Sequence, residues 1–155
     1  MPIYMRIPGF TGEVLQDGFE GAFELFSFSW GESNVGTTAS GVGAGRAQHS
    51  GFTVTKRTDK GSPSLMLACA KGELLPAVQV VLLQSSRDRL TQYLRYVLNN
   101  VIITSYSVGA GGDEIPTESL SLNFTKIEYD QTVQDPDGKE NFERAIFDFG
   151  LNRQG

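Results

Sequence analysis

The sequence is short of nearly every residue from which a catalytic or metal centre is built. It holds one cysteine, Cys69, and one histidine, His49, in 155 residues. A lone cysteine excludes an internal disulfide framework and a multi-cysteine zinc site, and it leaves redox compartment unreadable. Any triad or metal site would have to be built around His49, whose neighbours Gln48 and Ser50 bring no ligand at useful spacing. His49 therefore reads as a structural or surface residue. Cys69 shares an apolar helical face with Leu65 and Ala68, which is the place of a small buried hydrophobe rather than of a reactive thiolate. Long apolar runs are missing as well. Stretches such as Val78 to Leu83 fall far short of the roughly 20 residues of a membrane-spanning helix. Met1 to Gly12, broken by Pro2, Arg6 and Pro8, does not read as a secretory signal peptide. The expectation is a soluble chain made in the cytoplasm, with no membrane insertion. Positive charge is scarce too: 13 Lys and Arg stand against 18 Asp and Glu, for a net charge of −5. Such a surface lacks the cations whose counterion release drives nucleic-acid binding, so no nucleic-acid partner is expected.

Signature loops are absent in detail rather than merely weak. Gly41, Gly43 and Gly45 are followed by Arg46 where a dinucleotide loop needs glycine, and a strand pattern follows instead of a helix. Gly138-Lys139 lacks the following Ser or Thr, and Val133 occupies the position of the first phosphate-loop glycine. Asp135 and Asp137 do not continue into a calcium-ligand ladder and read as a hairpin turn. The carboxylates are scattered, with no pair marked out for acid and base roles. No enzyme activity and no cofactor are expected.

What is present is strand material. Ten Phe, five Tyr, one Trp and 18 Gly favour strands joined by turns, within one domain spanning residues 1–155. Ile3 to Ile7 reads as a short strand. From Ala22 to Glu32, Phe26, Phe28 and Trp30 alternate with Ser27, Ser29 and Gly31, which predicts a strand with an aromatic core face and a serine face. Arg46 to Lys56 repeats the pattern, with Phe52, Val54 and Lys56 against Gly51, Thr53 and Thr55. A single helix follows, with Ser62 as its N-cap, Pro63 in the first turn and Gly72 as the C-terminal stop. Beyond Pro76 come a buried strand, a long β stretch from Tyr93 to Tyr106 interrupted by a bulge or tight bend at Asn99-Asn100, and an alternating run from Thr117 to Tyr129. That run sets Leu120, Leu122 and Phe124 against Ser119, Ser121, Asn123 and Thr125. A last strand runs from about Phe142 to Leu151. Seven or eight strands with one short helix predict a closed barrel or sandwich, mainly β. Ser33 to Gly45 holds four glycines and only small or polar residues besides, and reads as a mobile loop.

Four ordered segments carry a family resemblance. They are IYMRIPGFTGE, LFSFSWGESN, HSGFTVTKRTDKGSPSLMLACAKGE and SYSVGAGGDEIPTESLSLNFTKIEYD. The third is the most specific: a strand ending in Thr55-Lys56, an Asp59-Lys60 turn, then a Pro-started helix with Ala68-Cys69. In these segments the chain resembles the Hcp family, the haemolysin-coregulated proteins of the type VI secretion tube. The C-terminal FDFGLNRQG departs from the family pattern. The resemblance implies a two-sheet β-barrel with one short flanking helix, a homohexameric ring, and rings stacked into a tube. It further implies effector proteins carried in the lumen, sheath and spike components as partners, and export by the type VI machine without a signal peptide. On that reading Ser27, Ser29, Ser119 and Ser121 are the lumen or cargo candidates, and Thr37, Thr38, Ser40 and Val42 the ring-stacking candidates. A phage or other contractile tail-tube protein and a monomeric ligand-binding barrel are the alternatives.

Overall fold

The structure, a computed structural model, describes residues 1–36 and 45–155. In chain order the elements are β1 (Ile3–Arg6), β2 (Phe23–Leu25), β3 (Ser27–Asn34), β4 (Ala47–Arg57), α1 (Ser62–Lys71), β5 (Leu75–Ser86), β6 (Arg89–Gly109), β7 (Thr117–Asn123), β8 (Lys126–Gln134), β9 (Glu140–Asp148) and β10 (Arg153–Gln154). The strands form two antiparallel sheets that share β6. The first runs β10-β9-β8-β6-β5-β1-β2, and the second runs β3-β4-β7-β6.

Asparagine makes the sharing possible. Through Asn99, β6 pairs with β8, and from Ile102 onward it pairs with β7. Asn100 sits between at φ 54°, a left-handed conformation that Asn tolerates better than most residues. Its amide donates to the Thr125 hydroxyl at 3.0 Å, while the Thr125 N–H donates to the Asn99 carbonyl at 3.1 Å. The bend expected at Asn99-Asn100 is thus the crossing point from one sheet to the other.

Three expectations need correction. Among the described residues the sheet is not closed: β2 pairs only with β1, and β3 only with β4, so both keep a free edge. Ten strands replace seven or eight among the described residues, because two expected strands are each broken in two and the two-residue β10 follows the last expected one. Phe124 and Thr125 separate β7 from β8, where the chain leaves one sheet for the other. A bend at Phe26 separates β2 from β3 and shifts the phase of alternation, so Phe23 and Leu25 point inward before the bend and Phe28 and Trp30 after it. Phe26 itself, expected in the core, is 57% exposed.

Tyr96 lies at the centre of the aromatic packing, with ring centroids 5.6 Å from Phe28 and Phe52, 5.8 Å from Trp30 and 4.8 Å from Tyr129. Around it Val54, Leu65, Leu98, Val101, Leu120 and Leu122 are fully buried. The helix is capped by Gly61, not Ser62. A Cβ at Gly61 would lie 2.4 Å from the Phe23 ring and 2.6 Å from the Thr11 carbonyl, so only glycine fits this approach. Gly72, at φ 61°, ends the helix as expected. Cys69 is half-buried at the edge of the face formed by Leu65 and Ala68.

Candidate functional site

The second sheet brings together the two serine patterns that lie some ninety residues apart in the chain. Its register aligns Ser27, Thr55, Ser119 and Ser107 in one row, and Ser29, Thr53, Ser121 and Ser105 in the next. Eight hydroxyl side chains therefore occupy adjacent positions across four strands. Ser27 and Thr55 share a hydrogen bond at 2.6 Å, and Thr53 and Ser121 a longer one at 3.4 Å. Ser27 and Ser29 are exposed, and Ser119 and Ser121 half-buried. The sequence candidates Ser27, Ser29, Ser119 and Ser121 thus form one surface. Thr37, Thr38, Ser40 and Val42 lie outside the described residues.

Thr53, Thr55, Ser105 and Ser107 were not among the candidates. The alternation of Arg46 to Lys56 already exposes the two threonines. The two serines are hidden by a β-bulge at Thr104, where the register passes from Ile103↔Leu122 to Ser105↔Ser121. Val101 and Ile103 point inward, and the extra residue turns Ser105 and Ser107 outward at the same odd numbering. Simple alternation would assign them to the core.

Beneath this surface, the opposite face of β4 and β7 holds a fully buried ion pair. The Lys56 Nζ lies 2.5 Å from Glu118 Oε1 and 3.0 Å from Asp59 Oδ2, and donates to the Arg57 carbonyl at 3.0 Å. The Ser62 hydroxyl donates to Glu118 Oε1 at 2.8 Å and accepts the Asp59 N–H at 2.9 Å. The Tyr106 hydroxyl donates to Glu118 Oε2. Burial, followed by that bond to a carboxylate, pushes the Tyr106 phenol up to about 12. Buried charges need this degree of satisfaction to be tolerated at all. Ser62, expected to cap the helix, instead ties the helix start to β7.

A second charged cluster sits on the far face of the first sheet. Asp130 receives Arg144 Nε at 2.6 Å and Arg95 Nη2 at 2.7 Å. Burial alone would raise the Asp130 carboxyl, but hydrogen bonds from Arg144 and Arg95 and their charges outweigh it and hold it below the ordinary carboxylate range. His49 has a packing role. Its ring stacks on Phe124 at 3.9 Å, its Nε2 bonds the Phe124 carbonyl at 2.8 Å, and its Nδ1 accepts the Gly51 N–H at 3.0 Å. Those bonds place the ring proton on Nε2.

The buried cluster joins Lys56, Asp59 and Ser62 of one resemblance segment to Glu118 of another. The family model described as "Type VI secretion system effector, Hcp" matches residues 4–131. The chain belongs to the Hcp family. Protein hcp1 of Pseudomonas aeruginosa is 32% identical over 91 residues, a match spanning 58% of this chain and 56% of that protein's length. Among solved structures, one titled as a type six secretion system protein superposes with a TM-score of 0.88 at 24% identity, covering 99% of both chains. Hcp1 from Salmonella typhimurium gives 0.83 at 23% identity, covering 99% of this chain and 98% of that one. These two likenesses establish the mainly β fold with its short helix. As an Hcp chain the protein is placed in type VI secretion, and among the described residues no helix is long and apolar enough to cross a membrane.

Proposed function

We propose that this Hcp chain is a structural subunit of the type VI secretion tube, without chemistry of its own, and that its hydroxyl-bearing sheet face lines the bore of a ring. The observation that carries the reading is the composition of that face between the Ser27 and Ser29 rows: eight hydroxyls and no charge. Short hydroxyls leave a smooth wall and offer both donors and acceptors to many clients without slow-releasing contacts. Open edges support the assembly. Among the described residues, β3 and the β7-paired half of β6 bound the second sheet, each with one unpaired side, and an uncovered strand edge is a surface made for pairing. A heterologous contact closes into a ring when its rotation per copy divides a full turn, and otherwise runs on as an open stack.

By family resemblance the ring holds six copies and stacks upon itself. Effector proteins occupy its lumen, sheath and spike components are its other partners, and it leaves the cytoplasm by way of the machine it builds. The segment with Thr37, Thr38, Ser40 and Val42 is proposed to contact the next ring. The test is Ser29→Gln beside an outer control, Lys139→Gln. Both variants should form rings of wild-type mass, and only Ser29→Gln should lose co-purifying effector. Undiminished effector in the Ser29 variant would show that this face is not the cargo wall.

A further inference from the structure

The two ends of the second sheet differ in shape and charge. At one end Ser27, Thr55 and Ser119 lie in register, and beside them opens a groove of about 430 Å³. Phe26 and Ile115 line it, 57% and 58% exposed, and among the other lining residues three carboxylates, Glu13, Glu24 and Asp59, stand against one cation, Arg57. Phe26 is held there by the bend between β2 and β3, its N–H donating to the Thr55 carbonyl at 2.8 Å. Such a groove offers apolar contact inside an acidic rim.

At the other end Asn34 pairs with Ala47, about 23 Å away along β3. The C-terminal turn is fastened here. Asn152 Oδ1 accepts the Ala47 N–H at 2.9 Å, and the Arg46 guanidinium donates to the Phe149 and Gly150 carbonyls at 3.2 and 3.3 Å. Asn152 adopts φ 53°, and the Leu151 N–H donates to Asp148 Oδ1 at 2.9 Å. The turn therefore holds a fixed shape and presents Leu151, 60% exposed, with the exposed cation Arg153 two residues on. Leu151 lies in the FDFGLNRQG ending that departs from the family pattern.

We propose that Leu151 of one copy seats between Phe26 and Ile115 of a second copy, with Arg153 facing Glu24, as a stacking contact between rings. This rests on the tube reading above. The apolar knob matches the apolar groove, and the cation matches the acidic rim. Because knob and groove lie at opposite ends of one sheet, the contact is heterologous and does not close on itself, so it builds a stack.

The test combines cross-linking with charge exchange in a Cys69→Ser background. Leu151→Cys with Ile115→Cys should give, on oxidation, cross-linked species larger than one ring, and neither single variant should. Leu151→Glu should leave ring mass unchanged and weaken stacking about ten-fold per contact, the scale set by burying one leucine. Arg153→Glu should weaken stacking, and adding Glu24→Arg should restore it. Cross-links that stop at the mass of one ring would overturn the proposal by placing the contact within the ring. Wild-type stacking by Leu151→Glu would overturn it as well. A wild-type chain that forms no ring would instead remove the tube reading on which it stands.

Discussion

The strand pair β4 and β7 carries opposite designs on its two faces. Outward, Thr53 and Thr55 meet Ser121 and Ser119, hydroxyls with short side chains and few fixed partners. Inward, Lys56 meets Glu118 with no exposure to solvent, and Ser62, Tyr106 and Asp59 complete a set of bonds that admits one arrangement. Period-two alternation separates these environments by a single residue step. One face gains from commitment, because an unsatisfied buried charge is costly. On the proposed tube reading the other gains from having none, because a wall that releases many clients cannot hold any of them tightly. Fold specificity and the proposed cargo tolerance then occupy the same strands without conflict.

Mutations should separate the faces most sharply at the buried pair. Glu118→Ala leaves the buried Lys56 with Asp59 alone for a counter-charge and strips the Ser62 and Tyr106 hydroxyls of their shared acceptor, and a loss of about 3 to 5 kcal/mol is expected in urea unfolding. The double variant Lys56→Met with Glu118→Leu should recover most of that loss. A cost of under about 1 kcal/mol for Glu118→Ala would remove the contrast altogether.

The half-open cluster at Asp130 should fall between the extremes. Asp130→Asn is expected to cost about 1 to 3 kcal/mol at neutral pH, since a carboxylate bonded to two guanidiniums is lost. The folded carboxyl is held below its ordinary value of 3.8. Its contribution is therefore complete at neutral pH and fades as the pH falls below about 3.8 through the lowered value. In Asp130→Asn the acid limb of a stability–pH curve should be shallower than in the wild type. An unchanged limb would assign acid sensitivity to other carboxylates.

On the outer face, Thr55→Val removes one hydrogen bond to Ser27 and should cost less than about 1.5 kcal/mol. A larger loss would mean that the hydroxyl rows are structural. The smallest effect is expected for Cys69→Ser, which should leave secretion near the wild-type level with only a modest loss of stability at a half-buried site. Complete loss of secretion with the ring intact would revive a catalytic reading of that thiol.

Much of this layout was legible in the residues. The alternation of Phe28 and Trp30 against Ser27 and Ser29 placed one face correctly, and Gly72 marked the helix end. What stayed hidden were the positions where tertiary contacts override local pattern. The bend at Phe26 reverses alternation because the chain changes sheets there. Thr104 reverses it again through a bulge, which concealed Ser105 and Ser107. Ser62 looks like a cap in isolation, yet its hydroxyl is drawn to Glu118, 56 residues away. The hairpin at Arg87-Asp88 gave no turn signal, since both residues take positive φ without glycine or asparagine. The joining of two distant serine patterns into one surface depends on strand order, which no local period encodes.

Electron cryomicroscopy of the purified chain decides whether the hydroxyl face lines the bore of a ring. A closed six-membered ring is expected, with Ser27, Ser29, Ser119 and Ser121 facing the central channel. A monomer at micromolar concentration, or a ring with those residues on its outer wall, would contradict it.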